Sequence, residues 1–424
     1  MLRLLVRGAV RPVRIVAIVV AIAAVAAVGA APADWPQILG PTRNGVYTGP
    51  PLAKVWPAAG PRVVWRRPVG EGFAGPVVAS GRLILFHRIG AEEIVESLEA
   101  ATGNPQWRFA YPTTYRDDFG FDEGPRAVPV VLNGRVYTYG AQGQLHALDL
   151  ATGKQIWAID IQKEYAPRLG FFGRAGSPLV EDGRVIANIG DSFDGGGIMA
   201  FNADTGALLW QATKDEASYS SPVAATFDGN RRALFFTRRG LVGLDPTNGK
   251  VMFSREWRSR SDNSVNAASP LVVGNQIFLS ATYETGAAVL DVKGDTLTEV
   301  WANDDVLSSH YATSVYRDGT LYGFHGRQEY GPAFRAVDFK TGKVRWSEEK
   351  FRAGSVTLAG DRLLILRESG ELVMAEATPA AFRPMARAQI LPAVARAFPA
   401  ISDGFMFARS GDSRSNQLIC LDLR

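Results

Sequence analysis

A short cue returns eight times along this chain: a small residue and a proline, or the remnant of that pair, then a few apolar residues and a turn. Its anchors are Pro76, Pro129, Pro178, Pro222, Pro270, Ser314, Ser355 and Pro399. They stand about 46 residues apart on average, within the range of one four-stranded propeller blade. A unit of that length cannot bury its apolar face alone and must stack on its neighbours. The repeat therefore predicts an all-β fold, an eight-bladed β-propeller of four-stranded blades. It overrides the two or three domains that 424 residues would otherwise suggest.

Each repeat has two halves. The first enters a strand and turns at glycine, as in PVVASG (76–81), PVVLNG (129–134), PLVEDG (178–183) and PAISDG (399–404). Asn-Gly and Asp-Gly pairs suit two-residue hairpins, because both central positions tolerate positive φ. Proline at the first position of an innermost strand loses no needed ladder bond and blunts an edge. The second half ends a strand at an acid or amide, turns at glycine and carries an aromatic residue on the outer strand. ALDLATGKQIW (147–157) and AVDFKTGKVRW (336–346) are the clearest copies. Trp107, Trp157, Trp210, Phe253, Trp301 and Trp346 recur once per repeat, so they read as packing between blades and not as a site used once. The recurring Asp reads as a turn former.

The two ends predict closure. After Pro399 there is room for about three strands. The segment PRVVWRRPV (61–69) precedes the first anchor and centres on Trp65. It is expected to complete the last blade beside LICLDL (418–423), which removes the open edge. The seventh repeat is the weakest match, since LVMAEATPAAFRP (372–384) lacks a Thr-Gly turn.

Residues 1–33 differ from the rest. Arg3, Arg7, Arg11 and Arg14 precede an apolar run from Ile15 to Ala31, with small residues at its exit. That is the pattern of a secretory signal peptide, with an uncleaved N-terminal anchor as the alternative. Residues 34–60 are expected to be an extended segment and 61–424 the propeller. The whole chain holds 46 basic and 42 acidic residues, and the leader accounts for four of the basic ones. The remainder is neutral, which argues against a nucleic-acid partner. The single cysteine, Cys420, excludes an intramolecular disulfide and any cysteine-based zinc or haem-attachment motif.

The Ala-Leu-Asp-x-x-Thr-Gly-Lys-x-x-Trp block around Trp157, its counterpart around Trp346, and the Ser-Pro starts at 177, 221 and 269 resemble the pyrroloquinoline-quinone-type (PQQ-like) propeller repeat over roughly residues 61–424. DWPQILGPTRNGVY (34–47) is similar to the leader-proximal segment of exported bacterial members of that superfamily. The resemblance implies eight blades and a periplasmic or secreted address. It also implies two kinds of function: quinone-dependent alcohol or sugar dehydrogenases, with PQQ and calcium on the axis, and the non-enzymatic propeller of the outer-membrane barrel-assembly machinery. Fold alone does not choose between them. The adjacent-cysteine disulfide often found in the dehydrogenases is impossible here. DDFGFDEGPR (117–126) and GDSFDGGG (190–197) hold acids but at no calcium-loop spacing. The leading expectation is a non-catalytic scaffold for a periplasmic or outer-membrane protein, or a module for a small anionic ligand. The alternative is a PQQ-dependent oxidoreductase with a reduced active site.

Candidate site residues lie just before the anchors, where loops entering the inner strands converge on the axis. They are Arg126, Arg174, Tyr219, Asn266, His310, Tyr311, Arg352 and Arg396, with Phe73 in the same position of the first repeat. Guanidinium forks and rings in such a set suit a planar anion. The competing expectation is that the arginines pair with loop acids and tie blades together. VGEGFAG (69–75) is rejected as a phosphate cradle because a proline and a strand follow it, not a helix.

Overall fold

The computed structural model describes residues 33–192, 196–261, 265–411 and 415–424. The expected leader lies outside them, except for Ala33. The described chain forms eight sheets, seven antiparallel ones of four strands and one of five in which the added edge strand pairs in parallel. Blade 1 runs outward through Val77–Ala79, Arg82–Ile89, Glu92–Glu99 and Pro105–Pro112. Blades 2 to 6 repeat that order. Blade 7 holds Gly354–Ala359 innermost and Pro384–Gln389 outermost, and gains Val46–Tyr47 as a fifth strand. In blade 8 the strand Arg62–Pro68 lies outside Gln417–Asp422, with Trp65 opposite Cys420. The N-terminal strand thus closes the last blade, as expected.

The core sits between blades. One apolar cluster joins Val185 and Phe201 of blade 3 to Leu145 and Tyr137 of blade 2, and another joins Phe236 of blade 4 to Leu279 of blade 5. The recurrent tryptophans stitch the ring together. Each indole N–H donates to a backbone carbonyl of the next blade: Trp65 to Ala100 (3.0 Å), Trp107 to Leu150 (2.9 Å), Trp157 to Ala203 (2.9 Å) and Trp301 to Phe339 (2.8 Å). The turn glycine of that next blade lies under the ring. A Cβ on Gly153 would stand 2.6 Å from Trp107. Where blade 4 carries Phe253 instead, the stretched turn of blade 5 leaves Gly294 in open space. The turn acids act as read from the sequence: Asp149 Oδ1 accepts from both the backbone N–H (2.8 Å) and the hydroxyl (2.7 Å) of Thr152. Those bonds hold its carboxyl below the usual range.

The small residue of the anchor is a second stitch. Ser177 Oγ accepts from Val128 N (2.8 Å), Ser221 Oγ from Ser177 N (3.0 Å) and Thr313 Oγ1 from Ser269 N (2.9 Å). Each hydroxyl satisfies a backbone donor of the preceding blade, a role the proline argument had not anticipated.

Residues 34–47, expected to be merely extended, occupy the axis. Trp35 pairs with Val78 of blade 1 in both directions (2.8 and 2.9 Å), and Pro36 O accepts from Val131 N of blade 2 (2.8 Å). Arg43 donates to Pro178 O (2.5 Å) of blade 3, Pro222 O (2.7 Å) of blade 4 and Gln37 Oε1 (2.7 Å). Gly45 N closes back on Leu39 O (2.9 Å), and Val46 then pairs with Leu358 of blade 7. Innermost strands leave their axial edges unpaired, and this plug supplies the missing partners. The segment enters beside the inner hairpin turns, where Ala33 N meets Asp403 (2.8 Å) and Asp34 meets Ser80 N (3.1 Å). In an antiparallel blade those turns lie at the opposite end from the loops that enter the inner strands.

Candidate functional site

At the end where loops enter the inner strands, a cavity of about 460 Å³ opens on the axis. Ile38 of the plug and Phe398 lie among its walls, so the plug makes the channel one-ended. Of the eight expected residues, Arg126, Tyr219, His310, Tyr311 and Arg396 line it, as does Phe73. The other three do not. Arg174 is buried and donates to backbone carbonyls of Ile189, Arg168 (3.0 Å) and Pro167 (3.3 Å), holding its own loop. Asn266 is buried and spends its amide on Thr237 O (2.9 Å) and Trp257 O (3.0 Å). Arg352 has φ 71° and an exposed side chain outside the cavity wall. Equal spacing from an anchor does not give equal direction, because the loops differ in conformation.

The cavity has two unlike halves. Loops from blades 1 to 4 supply Phe73, Phe119, Phe121, Phe171, Phe172 and Tyr219. Phe119 stacks on Phe121 with centroids 6.0 Å apart and 19° between planes, and Phe172 contacts both Phe119 (5.4 Å) and Tyr219 (5.4 Å). Burial pushes the Tyr219 hydroxyl up to about 12, and it accepts from Phe172 N (3.2 Å). Arg126 lies over Phe73 and Phe172 with its Cζ 5.6 and 5.3 Å from the ring centroids. It is also tied down. It donates to Asp117 Oδ2 (2.7 Å), Tyr115 Oη (3.3 Å), Asp122 O (3.1 Å) and Phe172 O (3.3 Å). The expected pairing with loop acids holds here, through Asp117; Glu123 instead meets Arg88 and Arg116.

Blades 5 to 8 supply Tyr283, His310, Tyr311, Arg327, Glu329 and Arg396. Arg396 Nε donates to Glu368 Oε1 (2.8 Å), which also accepts from the Tyr311 hydroxyl (2.8 Å). Burial disfavours the Arg396 charge, but Glu368 outweighs it and leaves the guanidinium above its ordinary value. Arg327 donates to Glu329 Oε1 (3.1 Å) and covers the Tyr283 ring at 4.4 Å. His310 Nε2 lies 3.2 Å from Tyr283 Oη, and burial pulls the imidazole down to about 4, so it is neutral at physiological pH. In the same blade His325 Nδ1 accepts from Ser308 N (3.1 Å). His146 is packed against Phe109 and Tyr111 inside its blade, away from the cavity.

Sequence reasoning missed the phenylalanine wall, Tyr283, Arg327 and Ile38. Phe119-x-Phe121 and Phe171-Phe172 were visible as aromatic pairs in otherwise polar loops. Tyr283 and Arg327 come from turns between second and third strands, which antiparallel pairing places at the same end. Ile38 carried no signal.

A quinone and calcium would need cations to spare and several converging oxygens. The three cavity arginines are each matched by a carboxylate. Asp117 and Asp122 are engaged by Arg126 and by the backbone N–H groups of Phe119, Gly72 and Gly124. Among the described residues no three His, Cys, Asp or Glu side chains converge as a metal site. The residues present do not fit that pair. The second acidic loop, 190–197, lies partly outside the described residues.

The family model described as outer membrane protein assembly factor BamB matches residues 91–348, well over half of the chain. The chain belongs to that family. Outer membrane protein assembly factor BamB of Burkholderia pseudomallei is 26% identical over 327 residues, covering 74% of this chain and 76% of that protein. Quinohemoprotein alcohol dehydrogenase ADH-IIG of Pseudomonas putida is 29% identical over 143 residues, only 19% of its own length. The crystal structure of the quinohemoprotein alcohol dehydrogenase of Comamonas testosteroni superposes with a TM-score of 0.68 at 15% identity, covering 92% of this chain and 80% of that one. That likeness is one of fold. The same propeller fold thus occurs in a protein described as an outer membrane assembly factor and in one described as an alcohol dehydrogenase, so the fold alone assigns no role.

Proposed function

We propose that this BamB-type chain is an exported, non-catalytic propeller that acts as an interaction scaffold through its aromatic mouth. The observation that carries this reading is the charge balance of the mouth: Arg126, Arg327 and Arg396 each face a carboxylate, inside walls made of rings. Such a surface binds by shape and apolar contact. Arg126, Tyr219, His310, Tyr311 and Arg396 are its contact residues, and Phe119 and Phe121, both more than half exposed, form its rim. The BamB relatives support a protein partner at the outer membrane, and the basic and apolar start of the chain supports export.

The test is photocrosslinking from positions 119 and 121 in a producing bacterium. The expected result is one discrete adduct with a membrane-associated protein, lost on Phe172→Ala. In parallel, purified protein is titrated with PQQ and calcium and assayed for dye reduction with alcohols and sugars. Turnover there overturns the scaffold reading in favour of the dehydrogenase one.

A further inference from the structure

The mouth cavity is amphipathic across the axis. One side is a phenylalanine wall. The other carries hydrogen-bonding groups without protein partners. His310 Nδ1 is buried with no partner, and its nearest carboxylate oxygen, Glu329 Oε2, is 4.0 Å away. Arg327 Nε is buried with no partner either. Arg396 donates to Glu368 through Nε and has the Tyr311 hydroxyl beside its guanidinium; among the described residues neither Nη atom is hydrogen-bonded to a carboxylate or a carbonyl. Its guanidinium is nevertheless held flat, 4.9 Å over the Phe73 ring and 6.0 Å from that of Tyr311. The Arg396 guanidinium, aimed into a ring-lined cavity, favours an occupant that brings an acceptor to its outer edge. The base is closed by the plug, so the occupant enters and leaves from one side.

We propose that the mouth cavity binds a small aromatic monocarboxylate, its ring on the phenylalanine wall and its carboxylate on the Nη fork of Arg396. A guanidinium fork held by a carboxylate on one edge keeps its other edge for a second one. One negative charge is the limit. Arg126 already spends both Nη atoms on four acceptors, Asp117 among them, and Glu329 and Glu368 repel any further anion. The volume, about 460 Å³, suits one fused-ring compound and falls at the small end of ligand sites. This site deepens the scaffold reading by naming the chemistry of its mouth, and rests on that reading only for the mouth being a binding surface.

The test is calorimetric titration of the full chain with 2-naphthoate, 2-naphthalenemethanol and naphthalene-2,6-dicarboxylate. Saturable binding of the monoacid is expected, with the diacid about tenfold weaker or worse. Arg396→Lys keeps a cation for Glu368 but removes the fork. It should weaken the acid by about tenfold while leaving the alcohol within about twofold. Phe172→Ala should weaken both. The proposal is overturned if wild-type protein shows no saturable binding of the monoacid, if the diacid binds more tightly, or if Arg396→Lys leaves the monoacid unaffected. A membrane-protein crosslink without naphthoate binding removes this ligand and leaves the scaffold standing; loss of the crosslink alone does the reverse.

Discussion

At the scale of residues, the same side-chain types do different work according to where the backbone aims them. Arg126 and Arg396 reach the axis, whereas Arg174, spaced from its anchor in nearly the same way, turns back to carbonyls of its own loop. Spacing was legible in the sequence; direction was not, since a loop φ near 71° at Arg352 points a side chain away from a neighbour's path. Histidine shows burial as chemistry. Burial pulls His146 down to about 4, below the unfolded value near 6.5. The folded state therefore binds fewer protons than the unfolded one. The stabilisation is complete above pH 6.5 and is lost as pH falls towards 4. Melting temperature measured from pH 7 to pH 4 should drop further for wild type than for His146→Gln, and parallel curves would assign the acid sensitivity elsewhere.

At the scale of elements, the blade and the plug obey different rules. The blade is a local unit, and its turns, Thr-Gly glycines and tryptophans were readable because each repeats. The tryptophan reading, packing between blades, holds in detail through the indole-to-carbonyl bonds. The plug occurs once and its partners lie in five different blades, so no periodicity announces it. Its centre is Arg43, 3% exposed, whose charge is drawn down to about 9 mainly by desolvation and is met by the carbonyls of Pro178 and Pro222, the Gln37 amide oxygen and the more distant charge of Glu181. Arg43→Met leaves two buried carbonyls without donors and should cost about 3 kcal/mol. Arg116→Met, at an exposed pair with Glu123, should stay within about 0.5 kcal/mol. Urea midpoints of the two variants decide the matter. Equal midpoints would make the plug dispensable to the ring.

At the scale of the molecule, closure couples the beginning of the chain to its end. Cys420 reports on that seam. It is 1% exposed, and burial pushes its thiol up to about 12, which suppresses the reactive thiolate. A disulfide reagent at pH 8 should therefore label native protein only as fast as the ring opens. Trp65→Ala removes the contact with Phe407 and the bond to Ala100 O, and should speed labelling by about tenfold or more. Rapid labelling of the wild type would mean that the seam is not sealed.

By itself, the sequence determined the number of blades, their strand order and the way the ends meet. Those follow from short-range patterns that each repeat must satisfy to bury its faces: turn glycines, alternating apolar strands and an aromatic residue placed for the next blade. Only the tertiary structure decided what fills the axis and which loop side chains share the mouth. Those contacts join residues from eight separate blades, and a distance across a ring has no counterpart in distance along a chain. The plug and the amphipathic cavity above it arise from that convergence, which is why Ile38, Arg43 and the Phe119–Phe172 wall became visible only once the ring was closed.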